Sequence, residues 1–96
     1  MKANIDALKQ KLISVLKKHK VARAGIFGSY ARGEQKKDSD IDIVVEISDK
    51  HMSLLGFIHI KNEIEEALGK RVDLVEYEAL KPRLRERILE EEIVIL

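Results

Sequence analysis

Apolar residues along the chain follow two spacings. Ile5, Leu8, Leu12, Val15 and Leu16 recur three and four apart with lysines between them, which predicts a helix over 3–19. Ala24 to Phe27, in "VARAGIFG", form a continuous group stopped by Gly28 and read as a short buried strand. "SYARGE" has room for one helical turn, with Ser29 as its cap and Gly33 as its end. After the polar loop "EQKKDS", "DIDIVVEI" is β-branched beyond its aspartates and predicts a strand buried at its far end. Helical spacing returns over 53–68, where Leu54, Phe57, Ile60, Ile64, Ala67 and Leu68 share a stripe that Gly69 ends. "RVDLVEY" reads as a third strand. Pro82 opens a last helix in which Leu84 and Ile88 share a face, and "EIVIL" is a short edge strand or packed tail. The order αβ(α)βαβα(β), without repeat or linker, predicts one sheet covered by helices: a small α/β or α+β domain spanning 1–96.

Composition narrows the class. At 96 residues, 45% hydrophobic and 36% charged, the chain reads as one globular domain. Eighteen basic and 17 acidic residues leave a net charge of +1, so no broad basic field exists for stable nucleic-acid binding. Cysteine is absent, which excludes disulfides and thiolate metal sites. The charged N-terminus lacks a signal peptide's apolar core, and no apolar run is long enough to span a membrane. A cytoplasmic location is expected.

Asp40 and Asp42 break the strand pattern. Aspartate is a poor strand former, and a half-buried carboxylate must be paired or bound to metal. "DSDID" places Asp38, Asp40 and Asp42 at the first, third and fifth places of an EF-hand loop, but the sixth is Ile43 where the turn needs glycine. No glycine-lysine-serine/threonine sequence follows a strand, so a P-loop is excluded as well. Strand alternation instead puts Asp40 and Asp42 on one face, about 6–7 Å apart at the backbone, and Ile41, Ile43 and Val45 on the other. Their oxygens can converge on a hard cation, or on two cations if a third carboxylate joins. Asp73, between Val72 and Leu74, is the candidate. Gly28 lets backbone approach an anion, the turn after it points N–H groups there, and Ser29 adds a hydroxyl donor. Arg32, one turn on, is within reach of the same phosphates. Together these make a coherent nucleotidyl-transfer site.

Gly28-Ser29, ten intervening residues and Asp40-Ile41-Asp42 resemble the signature of the DNA polymerase β-like nucleotidyltransferase superfamily. The run "GSYARGEQKKDSDIDIVV" is similar to its minimal nucleotidyltransferase (MNT) family. The resemblance implies the nucleotidyltransferase fold, a small mixed sheet flanked by helices. It implies that Asp40 and Asp42 hold Mg²⁺ (two ions) and the nucleotide, that Gly28 and Ser29 hold phosphate, and that Asp73 ligates metal and helps deprotonate the attacking hydroxyl. It also implies an adenylyltransferase that moves AMP from ATP onto a tyrosine hydroxyl of a HEPN ribonuclease toxin and so serves as its antitoxin. Because the chain has no separate acceptor-holding domain, a partner protein is expected to supply the hydroxyl.

Plainer readings stand beside these. The Asp40–Asp42 pair can cap a strand, Asp73 can form a salt bridge with Arg71 or Arg23, and Arg32 can be an ordinary surface arginine. Lys36 and Lys37 read as solubilising loop charges. His19, His51 and His59 share no ligand spacing and are assigned no metal. Arg83 and Arg87 share a helical face with Glu90 and Glu91 in pairing reach, a solvated face by default. Two other functions remain: a non-catalytic module that neutralises a toxin by binding it, and an enzyme acting on a small-molecule or nucleic-acid hydroxyl.

Overall fold

Strand alternation sorts the sheet into two unequal faces, one closed by long helices and one largely open. The structure, a computed structural model, describes the backbone of residues 2–96 and the side chains of residues 6–96. Helix α1 (Lys2–Lys18) leads into strand β1 (Val21–Phe27), the single-turn helix α2 (Ser29–Arg32) and strand β2 (Ile41–Ile47). Helix α3 (Leu54–Leu68), strand β3 (Val72–Glu76), a 3₁₀ turn (Tyr77–Ala79), helix α4 (Pro82–Glu91) and strand β4 (Ile93–Val94) complete it.

The sheet order is β3-β2-β1-β4. β1 pairs antiparallel with β2 and β4, and β2 pairs parallel with β3, so the sheet is mixed. The parallel pair requires a crossover, which α3 supplies. Ala24, Ile26, Ile41, Ile43, Val45, Val72 and Leu74 all face α1 and α3, where Leu12, Leu16, Ile60 and Ile64 meet them in the main core. On the other face Val44 packs with Tyr77 and Ile88, flanked by Phe27, Val75 and Leu80. Among the described residues this smaller cluster is covered by the 3₁₀ turn, Leu80 and α4.

The predicted elements are all present, with changes at their ends. β1 starts at Val21 rather than Ala24, and a bulge between Val21 and Arg23 resets its alternation. "EIVIL" is an edge strand: Ile93 pairs with Ile26, and the N–H groups of Ile95 and Leu96 both donate to the Ala24 carbonyl. Ser29 does not cap α2. The cap position belongs to Gly28, at φ 71° and ψ −148°, and Ser29 is the first helical residue. Gly33 ends the turn in the left-handed region, as expected. Ile5, predicted for the α1 stripe, lies outside the described side chains.

Two apolar residues that the helical spacing grouped with buried ones point outward. Leu54 is 74% exposed, because the first turn of α3 follows the Ser53 cap and lies beyond the sheet. Met52 packs there instead, its Cγ against the Gly56 backbone, and Phe57 joins the core. Leu84 is 48% exposed while Ile88 is buried, since only the C-terminal half of α4 rests on the sheet. Glu63 of α3 ties the two long helices by accepting from Lys18 Nζ (3.0 Å) and lying 3.0 Å from His19 Nε2.

A paired substitution separates these environments. Leu16→Ala, within the main core, is expected to cost about 2–5 kcal/mol, whereas Leu54→Ala stays within about 0.5 kcal/mol. Chemical denaturation midpoints of the two variants check the assignment.

Candidate functional site

The open face of the sheet collects carboxylates. Asp42 sits early in β2, beside Phe27 of β1 on one flank and Asp73 of β3 on the other, in parallel register. The core-facing alternation of Ile41, Ile43, Val72 and Leu74 therefore turns Asp42 and Asp73 together onto the opposite face, on backbones about 4.8 Å apart. Asp40 precedes the strand instead of belonging to it, and its side chain is 52% exposed. Arg71 Nε lies 3.7 Å from Asp40 Oδ1, a loose contact from a side chain that is itself 84% exposed. The expected alternative of Asp73 bridged to Arg71 or Arg23 is not found: Arg71 approaches Asp40, and Arg23 binds Glu92.

Asp42 carries an electrostatic load. Burial, then the charges of Asp73 and Asp40, push its carboxyl above the ordinary value of 3.8, with Arg32 opposing them and Glu91 adding to them. Gly28 lies directly over it. A Cβ at Gly28 would run into Asp42 Oδ2, and the positive φ disfavours any side chain there. Backbone and carboxylate thus meet as closely as glycine alone permits.

Sequence reasoning did not single out the groups around Gly28 and Arg32. Glu91, the last residue of α4, accepts from the Gly28 N–H (3.2 Å) and from Arg32 Nη1 (3.1 Å) through one oxygen, Oε1. It was expected on a solvated face with Arg83 and Arg87. Arg32 Nε donates to Glu34 Oε1 at 2.9 Å. Next along the chain, the Glu92 side chain is only 3% exposed and accepts from Arg23 Nη2 (3.1 Å) and the Tyr77 hydroxyl (2.6 Å). Arg23 also stacks 4.5 Å from the Tyr77 ring centroid, and Gly25 leaves the space that Glu92 fills. The signal for this arrangement was the edge strand. Continuing the β1–β4 register past Ile26–Ile93 sets Glu91 opposite Gly28, but only once the partner of β4 is known.

The donor set is all oxygen and suits a hard cation. Among the described residues no three His, Asp or Glu groups are gathered into a preformed metal cage. Magnesium does not need one, since it is held by one or two carboxylates and completes its octahedron with waters and substrate phosphates. Asp42 with Asp73 or Asp40 fits that requirement. No described helix is long and apolar enough to cross a membrane.

Residues 10–96 match the family described as polymerase beta, nucleotidyltransferase. The chain belongs to this family. It is a nucleotidyltransferase by that membership. A Methanocaldococcus jannaschii relative named for protein adenylyltransferase activity is 52% identical over 97% of this chain and 99% of its own. The protein adenylyltransferase MntA of Thermococcus cleftensis is 39% identical over 90% of this chain and 94% of its own. Among solved structures, a toxin–antitoxin complex with AMP-PNP superposes with a TM-score of 0.80 at 27% identity, over 92% of this chain and 72% of that one. The mixed sheet flanked by helices is the nucleotidyltransferase fold.

Crowded carboxylates have a thermodynamic signature. Because folding raises the Asp42 pKa, the native state binds its proton more tightly than the unfolded chain does. The associated stability is present at low pH and lost as pH rises through the raised value. Asp42→Asn in metal-free buffer is therefore expected to raise the melting temperature by about 1–3 °C near pH 7, the partial exposure of the site keeping the effect small. The gain vanishes at about pH 3, where wild-type Asp42 is already protonated. Melting curves at both pH values test this.

Proposed function

We propose that this nucleotidyltransferase is a Mg²⁺-dependent protein adenylyltransferase that transfers AMP from ATP to a tyrosine hydroxyl of a HEPN-type toxin, acting as its antitoxin. The observation that carries the reading is the parallel register of Asp42 with Asp73, directly beneath the side-chain-free Gly28. The two adenylyltransferase relatives support the adenylyl donor, and the AMP-PNP-bound toxin–antitoxin complex supports both nucleotide and partner class. The HEPN class and the tyrosine acceptor rest on the family resemblance.

In this reading Asp40, Asp42 and Asp73 hold two magnesium ions. When bound, they neutralise the triphosphate and stabilise charge on the entering and leaving oxygens. The Gly28 N–H, the Ser29 hydroxyl and Arg32 hold the phosphate chain, the guanidinium by charge-assisted hydrogen bonds. Asp73, exposed at the rim, accepts the proton of the acceptor hydroxyl. The hydroxyl oxygen then forms its bond to the α-phosphorus as the bond to pyrophosphate breaks, with entering and leaving oxygens in line. Asp42 sits deepest of the three, against the Gly28 backbone, and would hold magnesium there.

Incubating the chain with its partner, ATP and Mg²⁺ is expected to add one AMP mass per modified residue, read by intact-protein mass spectrometry. An unchanged partner, with all components active, counts against the reading. Asp42→Asn and Asp73→Asn are each expected to slow transfer at least about a hundredfold. Pull-down of the partner by the same variants should remain at the wild-type level. Undiminished neutralisation by Asp42→Asn would instead assign the antitoxin effect to binding alone.

A further inference from the structure

Glu91 does not belong to the set that the sequence motif marks, yet it occupies the corner where that motif would place phosphate. One carboxylate oxygen takes both the Gly28 N–H and Arg32 Nη1. These are two of the three donors assigned above to the nucleotide, and an anion already satisfies them. The contact is built in by tethering. The neighbouring Glu92 is locked against the sheet by Arg23 and Tyr77, over the gap at Gly25. That clamp fixes the end of α4, so the Glu91 side chain has a short radius within which to find partners. Its own side chain is 22% exposed, against 3% for Glu92. Glu91 can therefore rotate out to water while the clamp stays closed.

We propose that Glu91 is an internal stand-in for nucleotide phosphate: it holds Gly28 and Arg32 in the nucleotide-free chain and must be displaced when a nucleoside triphosphate binds. The inference rests on the reading that Gly28 and Arg32 hold phosphate. It makes nucleotide affinity depend on a competition. A plug closed in about nine-tenths of molecules weakens apparent affinity about tenfold, because only the open fraction is competent. A monodentate carboxylate making two hydrogen bonds loses that competition to a triphosphate, which offers several charged oxygens and a chelated cation.

The competing role for an acid so placed is a ligand that helps hold the nucleotide through its metal. The two roles predict opposite signs, which makes Glu91 decidable. Glu91→Ala removes the plug, while Glu91→Gln keeps the volume and removes the charge. The experiment is isothermal titration of wild type and both variants with AMP-PNP and Mg²⁺, after melting curves confirm that each is folded. Glu91→Ala is expected to bind about five- to tenfold tighter than wild type, with Glu91→Gln between them. A second readout is the Gly28 amide resonance. It should shift in nucleotide-free Glu91→Ala relative to wild type, and it should shift in wild type when AMP-PNP is added. Wild-type binding with variants that bind equally or more weakly overturns the plug and leaves the proposed function standing. Absence of binding in wild type and in both variants overturns the proposed function and the plug with it.

Discussion

Everything at the open face depends on one constraint: Asp42 and Asp73 are register partners in a parallel strand pair. Their positions are dictated from the other side of the sheet. Ile41 and Ile43 of β2 and Val72 and Leu74 of β3 must all enter the core under α1 and α3, so the residues between them must turn out together. A one-residue slip would bury both carboxylates and expose four apolar side chains. The main core therefore enforces the proximity of two like charges that would otherwise separate, and burial followed by the Asp73 charge raises the Asp42 pKa.

β1 and the turn that follows it repeat one device with two outcomes. Gly25 and Gly28 each leave out a Cβ where a carboxylate oxygen lies, that of Glu92 at Gly25 and that of Asp42 at Gly28. Glu92 is fully compensated, by the Arg23 guanidinium and the Tyr77 hydroxyl. Burial and this hydrogen bond hold the Tyr77 hydroxyl well above its ordinary pKa, so it stays a donor. Asp42 has no comparable clamp, and its nearest charged neighbours on the sheet are other carboxylates. A satisfied buried acid fixes an element in place. An under-compensated one, held among like charges, is the kind of group that awaits a cation. The contrast between these two glycine sites is stronger than a count of acidic residues would be.

Hydrophobic spacing made the architecture legible, because each long element carries a continuous apolar stripe or run that decides its own identity. The Asp40–Asp42 pair and the Gly28-Ser29 turn were legible because they violate local preference for strand and helix. Asp73 could be named from its mid-strand position, but its partnership with Asp42 required the parallel pairing of β2 with β3. Glu91 and Glu92 were hidden for the same kind of reason. They lie in a run of three glutamates that looks like helix surface, and only the pairing of β4 with β1 carries them back to Gly25 and Gly28. Ser29 was mistaken for a cap because side-chain chemistry suggested it, whereas backbone conformation gave that position to Gly28. Leu54 was misplaced because periodicity records a face and not where along that face the sheet ends.

The uneven covering of the two faces bears on the kind of acceptor the site can take. α4 and the 3₁₀ turn shield the Val44–Tyr77–Ile88 cluster and stop there. Beyond them Asp40 and Asp73 are exposed, and the concavity that Asp40 lines, with Lys37, Lys70 and Arg71, is about 230 Å³, below the usual size of a small-molecule pocket. An acceptor presented on the surface of another protein can reach such a rim, and its own surface would exclude the water that this chain leaves in place. Exposure of the two aspartates is what the proposed macromolecular acceptor requires, on physical grounds separate from any relative's name. The same openness gives the proposed role of Glu91 its use: if Gly28 and Arg32 hold phosphate, a corner this exposed is otherwise free to any small anion in solution.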